Sequence, residues 1–291
     1  GKFFKKSYLC ASMKIRQLIW SLLAITMLAS CKSEFERVRA SGDPNLLYTK
    51  AFEYYDNEDY LKAQALLELV MPSYRGKKEA EDIFMRYAFT YYHTGQYILA
   101  SYYFNNFAQT YSTSPQREEA DYMAAFSNYK LSPTFRLDQS YSEKAIEGFQ
   151  LFINTYPQSK RVAECNALID VMRKKMEVKA FEEGKLYFDL RQYQASMQSF
   201  ENLLKDFPET DAVEDVRYMM VKAAYLLAEN SIVDKQEERF TDAVTRATEF
   251  RQRFATSKYR KEILEIQTTS NKKIKQLTNV GYQNQSSRTG S

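Results

Sequence analysis

The sequence predicts an all-α protein built as a row of five helical hairpins. Three observations carry that expectation. The 291 residues include 23 Tyr and 19 Phe but only 8 Gly and 6 Pro. Many large rings and few breakers favour long helices packed on one another over a β-rich chain. A five-position apolar pattern recurs in one helical register, and prolines such as Pro157 and Pro208 stand between its copies.

The register is set by small residues. Take Ala63, Ala100, Ala145, Ser196 and Ala243 as anchors. Three residues earlier stand Tyr60, Tyr97, Ser142, Tyr193 and Phe240. Four later come Leu67, Phe104, Phe149, Phe200 and Ala247, and seven later Val70, Phe107, Phe152, Leu203 and Phe250. Eleven later come Tyr74, Tyr111, Tyr156, Phe207 and Phe254. These offsets lie on one face of an α-helix.

Ahead of the array, residues 1–30 read as a signal peptide. Met13-Lys14-Ile15-Arg16 is a basic start, and Leu18 to Met27 is an apolar stretch too short to span a bilayer. Met13 is a plausible true start, which would make residues 1–12 an upstream extension. Leu28-Ala29-Ser30-Cys31 resembles the bacterial lipobox, in which cleavage precedes the Cys and its thiol and amino group are acylated. Cys31 is therefore the expected lipidation site, with residues 31–43 as a tether. Residues 1–30 hold Lys2, Lys5, Lys6, Lys14 and Arg16 and no acid, so removing them leaves 36 cations against 37 acids. The formal charge of +4 belongs to the leader, and nucleic-acid binding loses its main support. Cys10 leaves with the leader and Cys31 is consumed by lipid. Cys165 is then a lone small core residue, and no intrachain disulfide is available.

Each anchored helix is preceded by a partner. Ala51, Ala88 and Gly184 stand twelve residues before their anchors, while Ala125 and Ala224 stand twenty and nineteen ahead. Copies three and five are thus expected to carry eight and seven extra residues in the turn. Tyr55, Tyr92, Tyr129 and Phe188 follow the small residue by four; the fifth copy has Ala228 there. A small residue on each helix lets the backbones approach, and rings fill the remaining space. Gly95 serves the turn in copy two. Tyr156-Pro157-Gln158-Ser159 and Phe207-Pro208-Glu209-Thr210 stop a helix and offer a hydroxyl to start the next. Copy four is expected to open with one long helix from about Lys160 to Leu190. The polar stretch 278–291, with Gly281 and Gly290, reads as a disordered tail.

This spacing resembles the tetratricopeptide repeat, a unit of about 34 residues with small residues near positions 8 and 20 and often Pro near 32. The anchors here are 37, 45, 51 and 47 residues apart, longer than that unit. The resemblance implies five hairpins stacked in a right-handed superhelix. Repeats one to three are assigned to residues 44–158, and repeats four, five and a final helix to 159–277.

Residues for chemistry are scarce. The one His, His93, stands at a helix-to-turn position before Gly95, where a surface role is expected. Without a second His or a Cys pair, a zinc site has no ligands to rest on. Neither a Gly-rich phosphate loop nor a nucleophile elbow is present. We expect no catalytic residue, no metal and no cofactor, and read the chain as non-enzymatic.

If the first helix of each pair lines the inside of the array, as the tetratricopeptide family implies, groove positions can be named. Copy one offers Tyr48, Phe52 and Tyr55; copy two Met85, Phe89 and Tyr92; copy three Tyr122, Phe126 and Tyr129; copy four Phe181, Lys185 and Phe188. Such a floor suits an extended peptide with apolar or aromatic side chains. The alternative is that these rings pack between helices.

The layout is similar to the BamD family, the lipoprotein subunits of the outer-membrane β-barrel assembly machine. Tyr156-Pro157-Gln158-Ser159-Lys160-Arg161 resembles that family's turn between repeats three and four. Ser132-Pro133-Thr134-Phe135-Arg136-Leu137-Asp138-Gln139 resembles its third-repeat insertion. The resemblance implies an anchor on the periplasmic side of the outer membrane, with N-terminal repeats contacting unfolded barrel precursors. It implies C-terminal repeats that bind the BamA-like barrel insertase alongside other assembly-machine subunits. Two alternatives keep the fold: a scaffold for periplasmic cell-envelope proteins, and a glycan-binding surface lipoprotein. The acids in Lys32-Ser33-Glu34-Phe35-Glu36 raise the question of surface export, though a solvated tether accounts for them.

Overall fold

The computed structural model describes residues 33–289, with side chains through residue 279. The signal segment and the lipidation site Cys31 lie outside the described residues. Within them the chain is all-α and tetratricopeptide-like. Its helices are α1 (Glu34–Ser41), α2 (Pro44–Asp56), α3 (Tyr60–Val70), α4 (Ala80–His93), α5 (Tyr97–Thr110) and α6 (Arg117–Leu131). They continue as α7 (Ser140–Thr155), α8 (Val162–Asp189), α9 (Tyr193–Asp206), α10 (Val213–Glu229), α11 (Val233–Arg253) and α12 (Arg260–Thr289).

The repeat register sets the core. All five anchors, and all ten residues four and seven positions after them, are fully or almost fully buried. The small partners Ala51, Ala88, Ala125, Gly184 and Ala224 are buried too. At Gly184 the approach is so close that a Cβ would stand 2.5 Å from the Phe200 ring. Ser196 Oγ donates to the Gly184 carbonyl at 2.8 Å, so even the polar anchor is satisfied. Gly148, which the repeat pattern did not single out, plays the same part against Ala125, 2.8 Å from a hypothetical Cβ.

Three hairpin turns share one backbone device. Glu58, Gly95 and Arg191 each stand five residues before their anchor with φ of 61°, 75° and 60°. The following N–H closes back on the helix: Asp59 to the Tyr54 carbonyl (2.9 Å), Gln96 to Tyr91 (2.8 Å) and Gln192 to Tyr187 (2.9 Å). This left-handed stop satisfies carbonyls that the helix end leaves open. Between repeats, the hydroxyls of Ser114, Ser159, Thr210 and Ser257 accept from the N–H two residues on.

The two insertions behave differently. In copy three the extra residues form the loop 132–139. In copy five the expected turn insertion is not there: α10 ends at Glu229 and α11 begins at Val233. The seven extra residues instead lengthen α11 at its start. Asp234 to Arg239 contains no breaker, so helix continues where a loop was expected.

Two other expectations are corrected. The tether is helical from Glu34 to Ser41, with Ser33 capping the Glu36 N–H at 3.2 Å. Val38 is buried in the first core cluster, and Phe35 packs edge-on against Tyr54 at 5.9 Å. The tail read as disordered is helical to Thr289. No Pro interrupts it, and single glycines lower helix propensity without breaking the hydrogen-bond ladder.

The chain forms two compact units. The first runs to Leu131 and includes Glu147–Tyr156; the second comprises Ser132–Ile146 and Pro157 onward. The division is therefore not a single cut near residue 158. The insertion groups with the second unit because two lysines of α8 hold it. Lys175 Nζ donates to Ser132 Oγ (2.5 Å), and Lys179 Nζ to the Leu137 carbonyl (2.7 Å). Inside the loop the buried Gln139 amide donates to the Thr134 and Leu137 carbonyls at 2.8 and 3.0 Å. It also accepts from Ser142 Oγ at 2.8 Å.

Candidate functional site: an aromatic wall in the first unit

The first helices of repeats one to three place large residues three before, one after and four after a buried small residue. On a helix those positions adjoin one another. With the small residue facing its partner helix, they form a band along one side.

The rings meet in sequence. Tyr48 stacks on Tyr74 (5.2 Å between centroids) and packs against Phe52 at 4.3 Å. The Arg86 guanidinium bridges Phe52 and Tyr55, 4.3 and 4.7 Å from their centroids, and pairs with Asp56 at 2.8 Å. Tyr55 meets Tyr60 edge-on at 5.5 Å. Tyr60 stacks on the His93 ring at 4.3 Å, only 10° from parallel. His93 in turn touches Phe89 (6.0 Å) and Tyr92 (5.6 Å). Tyr92 reaches Tyr97 (5.5 Å) and Phe126 (6.3 Å), and Phe126 meets Tyr129 at 5.6 Å.

Seven of the eight predicted groove residues, Tyr48, Phe52, Tyr55, Phe89, Tyr92, Phe126 and Tyr129, are half-buried along this line. Tyr122 is the exception and is corrected to core. It is 3% exposed and packs against Phe149 and Phe152 at 6.0 and 5.8 Å. Met85 is likewise buried. Of the copy-four set, Phe181 packs on Phe200 at 5.9 Å, Phe188 packs on Tyr193 at 5.5 Å, and Lys185 is exposed. These lie in the second unit.

Four members were not picked out from the sequence as groove residues. Tyr60 and Tyr97 were assigned to the second helices, three residues before their anchors, a position that also reaches the wall. His93 was read as a surface turn residue; it is exposed, but its ring is a plate between Tyr60 and Phe89. Arg86 is the one cation in the run from Ala80 to His93, which is the signal that could have found it.

The wall carries little charge. Burial pushes the Tyr55 hydroxyl up to about 12 and raises those of Tyr48, Tyr60 and Tyr92, so all stay protonated near neutrality. Burial lowers the His93 pKa below its ordinary 6.5, favouring the neutral ring. Rings surround His93, an arrangement for stacking and not for moving a proton. Among the described residues no cluster of His, Cys, Asp and Glu could hold a metal, and no helix is long and apolar enough to cross a membrane. The surface can offer flat apolar contact, edge hydroxyls and one guanidinium to an extended chain.

The outer membrane protein assembly factor BamD of Rickettsia prowazekii is 23% identical over 219 residues, 75% of this chain and 84% of that protein. The factor of the same name from Haemophilus influenzae is 23% identical over 221 residues, 72% and 83% respectively. A tetratricopeptide repeat protein from Parabacteroides merdae covers 78% of this chain and 98% of its own at 13% identity, with a TM-score of only 0.24. The repeat fold is therefore read from the hairpins themselves. A family model described as YfiO, outer membrane lipoprotein, matches residues 40–238 and 187–285. With most of the repeat array inside that match, the chain belongs to the YfiO family of outer membrane lipoproteins.

Proposed function

We propose that this chain is a non-enzymatic subunit for assembling β-barrel proteins into the outer membrane. The aromatic wall of its first unit captures unfolded barrel precursors. The observation that carries this reading is the line of half-buried rings from Tyr48 to Tyr129, joined through the Arg86 guanidinium and the exposed His93 ring. Unfolded barrel strands alternate apolar and polar residues and carry aromatic girdles. An extended segment of that kind can lay successive rings on the wall at little entropic cost. Two relatives that bear the name of assembly factors support the role. In this reading Cys31 carries the lipid, the protein faces the periplasm, and repeats four and five dock on the barrel insertase.

The test is site-specific photocrosslinking in cells. A benzophenone side chain at Tyr92 is expected to capture unfolded barrel precursors, and one at the exposed Gln109 of α5 is not. Depleting the protein should lower outer-membrane barrel levels. Unchanged barrel levels would sink the reading.

A further inference from the structure

The outward face of each second helix is described by the residues two before and two after the anchor, four apart and so adjacent on the helix. In copies three, four and five these are Glu143 and Glu147, Gln194 and Gln198, and Thr241 and Thr245. In copies one and two they are Leu61 and Ala65, and Ile98 and Tyr102. The same position of one repeat is therefore polar three times and apolar twice. Leu61, Ile98 and Tyr102 are 65%, 58% and 60% exposed, and Leu69 and Leu99 of the same two helices are exposed as well. Folding does not require apolar residues there, since three copies of the same hairpin do without them.

The two apolar copies are the ones next to the N-terminus. α1 is fastened to repeat one by Phe35 on Tyr54, and by the Lys50–Glu34 ion pair at 2.8 Å. Lys62 of α3, the neighbour of Leu61, lies over the same Tyr54 ring, 5.2 Å from its centre. Cys31 is three residues before Glu34, a span of at most about 11 Å of chain. An acylated Cys31 would thus hold the start of α1, and the Lys62 side of repeat one, close to the lipid headgroups.

We propose that the outward faces of α3 and α5 rest on the membrane surface, with Leu61 and Ile98 entering the acyl boundary and Tyr102 at headgroup level. This rests on the reading of Cys31 as the lipidated residue. Aliphatic side chains flanked by a tyrosine and a lysine suit that boundary: the ring favours the interface, and the lysine stem lies along the apolar layer with its ammonium in water. A second membrane contact beside a lipid anchor also adds affinity that one anchor does not supply.

The test uses the full lipidated chain in phosphatidylethanolamine–phosphatidylglycerol vesicles. An environment-sensitive fluorophore is attached at Ile98→Cys and, separately, at Gln194→Cys, the matching position of copy four. Cys165 is buried and stays unlabelled. The probe at 98 is expected to shift to the blue and to be quenched by nitroxide-bearing lipids, while that at 194 emits as in water. Mass spectrometry of the same sample reads the acyl groups on Cys31. An acylated chain whose probe at 98 remains water-exposed overturns the membrane face and leaves the anchor standing. A chain without acyl mass overturns the anchor and the membrane face with it. A blue shift at 98 that appears only when another envelope protein is added also overturns the proposal, by assigning the face to that protein.

Discussion

Arg191 and Glu58 hold a backbone conformation that L residues disfavour, at the turn position where copy two has Gly95. A side chain in the left-handed region costs about 1–2 kcal/mol. Replacing Arg191 or Glu58 by Gly should therefore raise stability by about 1 kcal/mol, read as a higher urea midpoint, and Gly95→Ala should lower it. Gly184→Ala should destabilise by about 1–3 kcal/mol, because its Cβ would enter a fully buried Phe200 ring that has nowhere to move. Gly184 was legible in the sequence because it occupies a small-residue position of the repeat. The strain at Arg191 was not, since nothing in its chemistry announces a left-handed backbone. Only alignment with Gly95 reveals it. Tyr122 was misplaced for a related reason: periodicity gives the face of a helix but not how far the next helix covers it.

At the scale of elements, two repeats, copies two and four, are tied to their own outgoing turns by the same polar contact. Ser114 Oγ donates to Glu81 at 2.5 Å in copy two, and Thr210 Oγ1 to Glu177 at 2.6 Å in copy four. Both hydroxyls stand fourteen residues after the anchor, and both carboxylates seven before the small residue of the first helix. The turn motif with Ser159 and Thr210 was readable as a helix start, but the carboxylate partner of Thr210 lies more than 30 residues away, and one-dimensional spacing hides such pairs. Burial works to raise the Glu177 pKa, yet hydrogen bonds from Thr210 and Lys174 outweigh it, and the net shift is below 4.5. A depressed carboxyl stabilises the fold above its unfolded value and loses that contribution as pH falls through the folded one. The stability gap between the parent chain and Glu177→Gln should therefore be full near neutrality and shrink as pH is taken below 4.5. Urea titrations across that range measure it, and a gap that widens on acidification would contradict the assignment. The insertions teach the same lesson about partners. Their lengths were legible, but only Lys175 and Lys179 decide that residues 132–139 form a pinned loop.

For the whole molecule, the all-α fold and its five hairpins were open to sequence reading because a buried seam must repeat when the architecture repeats. The wall was half legible: seven of its rings follow from the register, while Tyr60, Tyr97, His93 and Arg86 join it through packing. Its members separate by experiment. Tyr92→Ala should leave the melting profile nearly intact and weaken binding of an aromatic-ended peptide about tenfold. Tyr122→Ala should instead destabilise the first unit by roughly 3 kcal/mol. Titration calorimetry and urea melts on both variants check the contrast. The helical α1 bears on how the molecule can move. Eight residues in helix cover about 12 Å, whereas the same residues drawn out would reach about 27 Å. Val38 and Phe35 also fasten that helix to repeat one. Residues 34–41 are thus a rigid mounting post on repeat one and not a leash. Those eight residues give the repeat array no slack of their own, so any reach it has comes from elsewhere in the chain.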